Sequence, residues 1–122
     1  MTRRAGLRVA LQLVLLLCWT FTAEPGRVID GDTFWAKVNK YLREYRIEKV
    51  RLLGVDTPEE GKAGYAEAKA FSRAWLEKGD VTLEFCADDF NGRLLAKVTR
   101  GTEDLGQLLL TNGHAVPWRP KR

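Results

Sequence analysis

Alternating apolar and polar positions divide the chain into five short predicted strands from residue 27 onward. In one of them Val81, Leu83 and Phe85 fall on a single face, which is typical of a half-buried strand. Polar residues 39–45 predict a hairpin loop, and the Asn91-Gly92 pair predicts a tight turn. The predicted strands are residues 27–29, 33–38, 46–55, 81–86 and 93–99.

A helical period replaces the alternation in two places. Ala68, Phe71 and Trp75 recur at i, i+3 and i+7 and predict a helix over residues 65–78. A second, shorter helix is predicted over residues 105–112. Five short strands with a helix between the third and the fourth predict an α+β protein built on a small closed Greek-key β-barrel.

The first 23 residues form a different kind of segment. Three arginines precede an apolar run over residues 9–19, and small residues up to Ala23 offer a cleavage site. This order predicts a secretory signal peptide over residues 1–23 and a single mature domain over residues 24–122. The protein is therefore expected to be secreted or periplasmic. The alternative is a membrane anchor formed by the uncleaved segment, although its apolar run is shorter than the ~20 residues that a spanning helix needs.

Removing this leader changes what the charge and the cysteines imply. The chain has 20 Lys and Arg against 16 Asp and Glu, a net charge of +4. Three of the basic residues and none of the acidic ones lie in the leader, which leaves 17 against 16 and a net charge of +1. Affinity for nucleic acid must then come from local placement of charge. Because Cys18 falls within the leader, Cys86 is expected to stand alone without a disulfide.

Two short acidic motifs are candidates for binding a cation. The Asp-Gly-Asp sequence at residues 30–32 projects two carboxylates from the same side of a strand, and they repel one another unless a cation or a donor neutralises them. In the second motif, residues 56–59, Pro58 forces Thr57 into extended geometry and aims its carbonyl outward. Taken alone, the first motif is more often a surface turn and the second a helix N-cap.

Two arginines supply the complementary charge. Arg51 lies in an apolar run, where a guanidinium is costly unless it is paired, and Arg93 begins a strand after the predicted tight turn. Arginine grips phosphate through two parallel hydrogen bonds. In isolation, Arg51 reads equally well as a barrel-edge residue with its head in water, and Arg93 as a solvated hairpin residue. Together, carboxylates that bind a cation and arginines that bind an anionic phosphate are the groups that metal-assisted phosphodiester cleavage uses.

These motifs resemble those of the staphylococcal nuclease-like, or thermonuclease, family. Residues 28–33 match its first motif, residues 50–59 its second, and Asp89 with residues 92–94 its third. With the two predicted helices, the resemblance spans nearly the whole mature chain. It implies an OB fold, a five-stranded Greek-key barrel with two helices, and a calcium site.

The resemblance also implies a role for each acidic position. Asp32, Asp56 and the backbone carbonyl of Thr57 would bind calcium. Glu59 would be the general base or orient the attacking water. Because neighbouring carboxylates repel, removal of Asp32 is expected to leave the stability of the domain unchanged or to raise it.

For Arg51 and Arg93 the resemblance implies phosphate binding and stabilisation of transition-state charge. The family cleaves DNA and RNA with little sequence preference and leaves 3′-phosphates, so the implied partner is a nucleic-acid substrate. A monomer without a stable protein partner is expected. One departure is Asn91, which stands where the family's type member has a tyrosine. The alternative function is a catalytically silent OB-fold module that binds nucleic acid, free or tethered to a membrane. Its mark would be the loss of a site acid or arginine, and none is lost.

Overall fold

The computed structural model describes residues 18–88 and 92–118. Most of the predicted leader therefore lies outside the described residues, as do Asp89 and Asn91 of the third motif and the last four residues. Within the described ranges, no helix has both the length and the apolar character needed to cross a membrane.

The elements follow the predicted order closely, and only the first strand differs much in length. The predicted third strand is divided by a turn at Gly54 into β3 and β4. The elements are β1 (Trp19–Asp30), β2 (Thr33–Asn39), β3 (Tyr45–Leu52), β4 (Val55–Asp56), α1 (Tyr65–Leu76), β5 (Val81–Asp88), β6 (Leu94–Arg100), β7 (Glu103–Asp104), α2 (Leu105–Thr111) and β8 (Val116–Pro117).

Five of the strands close into a barrel. The main sheet has the order β3-β2-β1-β5-β6-β7, and β3 also pairs with β6, which joins the two sides of the sheet. This closing pair is parallel, with Val50 opposite Leu94 and Leu52 opposite Ala96, whereas the other pairs in the sheet are antiparallel. Closure removes most of the exposed strand edge. The predicted OB-type barrel with two helices is therefore confirmed.

The helices pack against the barrel through a few apolar side chains. In α1, Ala68, Trp75 and Leu76 are buried and the helix contacts β1. In α2, Leu105 and Leu109 are fully buried, and this helix contacts α1 and β6. Burying a side chain the size of leucine contributes roughly 1.5–3 kcal/mol. This packing fixes α1 against the β1–β2 turn that carries the first acidic motif.

The N-terminal half of β1 is the main departure from the prediction. Residues 19–23 pair with β5, and Ala23, the last residue of the predicted leader, is fully buried. Cys18 and Cys86 form a disulfide, so the expectation that Cys86 stands alone is wrong for this structure. The physical reason is the antiparallel register of β1 and β5, which brings the residues next to the Trp19–Phe85 pair together. Cleavage after Ala23 stays a prediction.

Candidate active site

The turn between β1 and β2 carries Asp30 and Asp32 and lies directly against α1. A Cβ atom at Gly31 would lie 2.9 Å from the Cβ of Ala68 and 3.0 Å from Cγ2 of Thr57. Only glycine fits an approach this close without moving the helix or the loop. The glycine between the two acids is therefore required by packing, which brings the acidic turn next to Thr57.

Two hydroxyl groups of α1 hold this turn from behind. The buried Ser72 donates a hydrogen bond through Oγ to the carbonyl oxygen of Gly31. The hydroxyl of Tyr65 donates to the carbonyl oxygen of Ile29 at 2.8 Å. Neither contact is predicted by the sequence pattern. A serine on the apolar face of the predicted helix was the available signal, because a buried hydroxyl in such a stripe needs a partner.

Asp32 is buried, and its carboxylate is well supplied with donors. Oδ1 accepts from the hydroxyl of Thr33 at 2.8 Å, and Oδ2 accepts from the backbone N–H of Thr57 at 2.9 Å. A guanidinium nitrogen of Arg51 lies 3.4 Å from the same Oδ2. These donors hold both oxygens of the Asp32 carboxylate in place.

The guanidinium of Arg51 is the centre of the site. Nη1 donates to the carbonyl oxygens of Leu52 at 2.8 Å and Val55 at 2.7 Å. Nη2 lies 3.3 Å from Oδ1 of Asp56 and 3.4 Å from Oδ2 of Asp32. Arg51 is only 6% exposed, so it is a buried, paired residue, unlike a barrel-edge arginine with its head in water. One nitrogen thus reaches both carboxylates that were predicted to bind calcium.

The last strand covers one side of this guanidinium. β8 pairs with β4, placing Val116 opposite Asp56, and the N–H of Trp118 donates to the carbonyl oxygen of Gly54 at 3.0 Å. The Trp118 ring lies 5.3 Å from the central carbon of the Arg51 guanidinium. Stacking of this kind holds a guanidinium in one orientation.

Asp30 and Glu59 complete the acidic side of the site. Burial raises the pKa of Asp30 above its ordinary value of 3.8, and the charges of Asp32 and Glu59 raise it further, against the smaller opposing effects of Lys69 and Arg51. Glu59 itself is exposed on the loop before α1. Burial and the neighbouring negative charges therefore disfavour the ionised form of Asp30.

Arg93 lies immediately before β6, next to the strand that carries Arg51. The parallel register sets Leu95 opposite Arg51, and alternate residues of a strand share a face, so Arg93 is on the same side of the barrel as Arg51. A surface cleft at this position is lined by Ile29, Asp30, Thr33, Lys49 and Arg93. The two arginines and the acidic turn therefore border one region of the surface.

The donor set at this corner fits a hard cation. Asp32 and Asp56 converge on one nitrogen, and the buried hydroxyl oxygen Oγ1 of Thr57 has no hydrogen-bond partner among the described residues. Carboxylate, carbonyl and hydroxyl oxygens are the ligands that calcium prefers. No group of three His, Cys, Asp or Glu residues suited to a metal occurs within residues 18–88 and 92–118. The chain would thus supply two carboxylates, with backbone and water oxygens completing the shell.

The barrel and this corner together define a nuclease-like OB-fold protein. A family model described as staphylococcal nuclease homologue matches residues 49–121. The match covers more than half of the chain, and the chain belongs to the staphylococcal nuclease homologue family. The matched part contains the second and third motifs, whereas the acidic turn at residues 30–32 lies before it. No curated protein matches the chain.

Proposed function

We propose that this chain is a secreted, calcium-dependent nuclease that hydrolyses phosphodiester bonds of DNA and RNA with little sequence preference and leaves 3′-phosphates. The observation that carries the proposal is the buried Arg51 guanidinium, which lies between Asp32 and Asp56. Membership of a nuclease-like family supports the substrate class.

The acidic corner is the proposed cation site. Asp32, Asp56 and the backbone carbonyl of Thr57 are the groups that would hold calcium. When bound, calcium polarises a phosphoryl oxygen and offsets the charge that develops on it. The hydrogen bonds that Asp32 accepts from Thr33 and Thr57 fix the direction of its carboxylate before any ion arrives.

The arginines are the proposed phosphate ligands. Nη1 of Arg51 is anchored to two backbone carbonyls, so folding itself orients the guanidinium fork. Preorganised donors stabilise a transition state more than mobile ones, because they need little reorganisation during the reaction. Arg93, at the neighbouring cleft, would provide the second fork to the same phosphate.

Glu59 is the proposed general base. It is exposed at the edge of the acidic side of the site, so water can reach it. Its negative charge contributes to the raised pKa of Asp30. A carboxylate placed there can accept the proton of the attacking water as the new phosphorus–oxygen bond forms. The bond from phosphorus to the 5′-oxygen breaks, and that oxygen leaves as a hydroxyl after taking a proton from solvent. Positioned acid–base groups typically contribute ~10²–10⁴-fold to rate.

Secretion is the proposed location. Residues 1–23 have the order of charged, apolar and small residues that an export signal has. The disulfide between Cys18 and Cys86 supports an oxidising compartment only for the chain that keeps its leader, because cleavage after Ala23 removes Cys18. We propose that the protein acts as a monomer.

Cleavage of nucleic acid with and without calcium tests the proposal. Plasmid DNA and RNA are incubated with the purified protein in calcium and in chelator, and the product ends are identified by phosphatase sensitivity. We expect both substrates to be degraded only when calcium is present. Asp56→Asn should be inactive. Glu60→Gln, which changes an exposed carboxylate outside the site, is the control and should remain active. Cleavage that persists in chelator would contradict the calcium role. Binding without any cleavage would establish the silent binding module instead.

A further inference from the structure

The loop that joins β2 and β3 lies at the end of this hairpin that is away from the candidate active site. The antiparallel register pairs Thr33 with Arg51 at the acidic corner. It pairs Asn39 with Tyr45 at the other end. A strand rises about 3.3 Å per residue, so roughly 20 Å separates the two ends. We call residues 40–47 the hairpin tip, and all of them are exposed.

The hairpin tip concentrates exposed apolar side chains. In the described part of the chain, seven large apolar side chains are exposed, and the tip carries four of them. The most exposed of the seven are Leu42 at 77% and Tyr41 at 74%. Single exposed apolar residues are ordinary, whereas a cluster marks a surface that contacts a protein or a membrane. The four side chains are those of Tyr41, Leu42, Tyr45 and Ile47.

The apex of the tip departs from the residue preference of its turn. The N–H of Glu44 donates to the carbonyl oxygen of Tyr41 at 3.0 Å and closes a tight turn. Its two central residues, Leu42 and Arg43, have φ of 46° and 71°. Two consecutive residues of positive φ ordinarily take Asn-Gly, because larger side chains are strained there. A large apolar side chain and a cation at this apex are therefore kept against local preference, as happens at functional positions.

Positive charge surrounds the apolar side chains of the tip. Arg46 pairs with Glu48 of β3 at 3.2 Å, which offsets its charge. Lys37 of β2 adds a further cation beside the tip, since its Nζ atom lies 4.3 Å from the ring centroid of Tyr45. Apolar side chains among lysines and arginines are complementary to a lipid surface with anionic headgroups. The tip itself has three cations and one acid, which are Lys40, Arg43, Arg46 and Glu44.

The N-terminal end of β1 lies beside the same tip. Nδ2 of Asn39 donates to Oγ1 of Thr22 at 3.3 Å, and one cleft is lined by residues 20–22 together with residues of the tip. In the sequence, an apolar run over residues 9–17 directly precedes this end of β1. A lipid surface that the chain meets through its leader would therefore lie on the side of the tip.

We propose that the hairpin tip docks the protein on an anionic lipid bilayer. Leu42 and the two tyrosines enter the interface between headgroups and acyl chains, and Lys40 and Arg43 contact lipid phosphates. A stable protein interface takes roughly 800 Å² and about 20–30 residues from each partner, more than so short a tip offers, whereas a bilayer accepts a protruding loop.

Docking in this orientation keeps the acidic corner in solvent. The corner lies at the opposite end of the hairpin, roughly 20 Å from the lipid, which exceeds the Debye length of ~8 Å at physiological ionic strength. The negative surface potential of the bilayer is then largely screened at the corner. Docking itself does not depend on nuclease activity.

A fluorophore on the tip reports docking separately from any contribution of the leader. Nitrobenzoxadiazole, whose emission shifts to the blue in lipid, is attached to a Tyr41→Cys variant of the complete chain. A Glu60→Cys variant, labelled on the loop that carries Glu59, is the positional control. The vesicles contain phosphatidylcholine alone or equal parts phosphatidylcholine and phosphatidylglycerol. Chelator is present, so that calcium cannot bridge carboxylates to lipid.

We expect the tip label to shift to the blue on the mixed vesicles and to be quenched by doxyl-labelled lipid, while the loop label stays in water. Each lysine or arginine near a charged bilayer contributes about fivefold to affinity, so loss of two should raise the half-maximal vesicle concentration ~30-fold. The control removes two exposed cations elsewhere and should stay within about twofold of the parent. The charge variant is Lys40→Gln with Arg43→Gln, and its control is Lys62→Gln with Lys78→Gln.

Leu42→Asn combined with Arg43→Gly separates docking from folding. Asn-Gly suits the two positive φ values, so the urea midpoint should rise, yet the tip label should no longer enter lipid. A purely structural turn would gain stability with no change in the response to vesicles, and that result would overturn the proposal.

Three other results would also overturn docking on lipid. The first is a tip label that stays in water on the mixed vesicles. The second is a charge variant that docks as well as its control. The third is a label that responds to protein concentration and ignores vesicles, which would assign the tip to contact with a second copy of the chain.

Discussion

Asp30 and Asp32 are one residue apart, yet amide substitution should change the stability of the protein in opposite directions. The sequence alone suggested that removing Asp32 relieves repulsion between the two carboxylates. In the structure, Asp32 accepts hydrogen bonds from Thr33 and Thr57 and lies beside Arg51. Asp30 instead has a raised pKa, caused first by burial and then by its acidic neighbours. We therefore predict that Asp32→Asn destabilises the metal-free protein and that Asp30→Asn stabilises it.

The magnitude for Asp32 follows from its partners. Hydrogen bonds to a charged group contribute roughly 1.5–3 kcal/mol each, and an amide keeps only one acceptor oxygen. Asp32→Asn should lower the free energy of unfolding by about 1.5–3 kcal/mol. Asp32→Ala should cost about 3–5 kcal/mol, because it leaves the Thr57 N–H without its acceptor and the buried Arg51 without one of its counter-charges.

The effect of Asp30 should depend on pH with a definite sign. Its pKa in the folded protein lies above the ordinary 3.8, so the folded state of the parent holds this proton more tightly than the unfolded state. The parent therefore loses stability as pH rises from 3.8 through the raised pKa, and the Asn variant does not. The gain from Asp30→Asn should be absent below 3.8 and complete above the raised pKa.

Urea denaturation in chelator, followed by fluorescence at several pH values, measures both effects. Glu60→Gln serves as the control, because it is an exposed carboxylate outside the site, and should stay within about 0.5 kcal/mol of the parent. An Asp32→Asn variant as stable as the parent would refute the hydrogen-bond account of the turn. A destabilising Asp30→Asn at neutral pH would refute the account of clustered charge.

Other predictions follow from the same geometry. Glu59→Gln should lower single-turnover cleavage by ~10²–10⁴-fold while binding in chelator stays near the parental value. Arg93→Lys keeps the charge but loses the planar fork, so cleavage should fall ~10²-fold or more; parent-like cleavage would make Arg93 a solvated charge. In the complete chain, which keeps Cys18, Cys86→Ser should lower the free energy of unfolding by about 2–4 kcal/mol under oxidising conditions. Mass measurement of the exported chain tests cleavage after Ala23, since a product starting at Glu24 lacks Cys18 and should be insensitive to reductant.

Much of the fold was predictable because its signals are local. Alternation in β2 and β5 and the helical period of α1 both act within a few residues. The start of β1 was hidden, because an apolar run near the N-terminus predicts an export signal as readily as a strand. Pairing with β5 across the barrel is what makes residues 19–23 a strand here.

The candidate site was predictable by residue type and less so by contact. Because a guanidinium in an apolar run is costly unless it is paired, the sequence left two interpretations of this arginine, a paired residue or a barrel-edge residue with its head in water. The structure shows the paired form of Arg51. Which partners it takes depends on barrel closure, since Asp32 comes from a turn nineteen positions earlier in the chain. The role of Ser72 was also not predictable, because its acceptor Gly31 is 41 residues away in the sequence.

A calcium titration that follows binding and cleavage on the same sample tests the central claim most directly. Two carboxylates with backbone and water oxygens make a weak, open site, so half-saturation is expected at roughly 10⁻⁴–10⁻³ M. Cleavage of a single-stranded DNA should rise with the same midpoint as calcium binding, both should vanish in Asp32→Asn and Asp56→Asn, and magnesium should substitute poorly. Full cleavage in chelator, or calcium binding that leaves cleavage unchanged, would contradict the account.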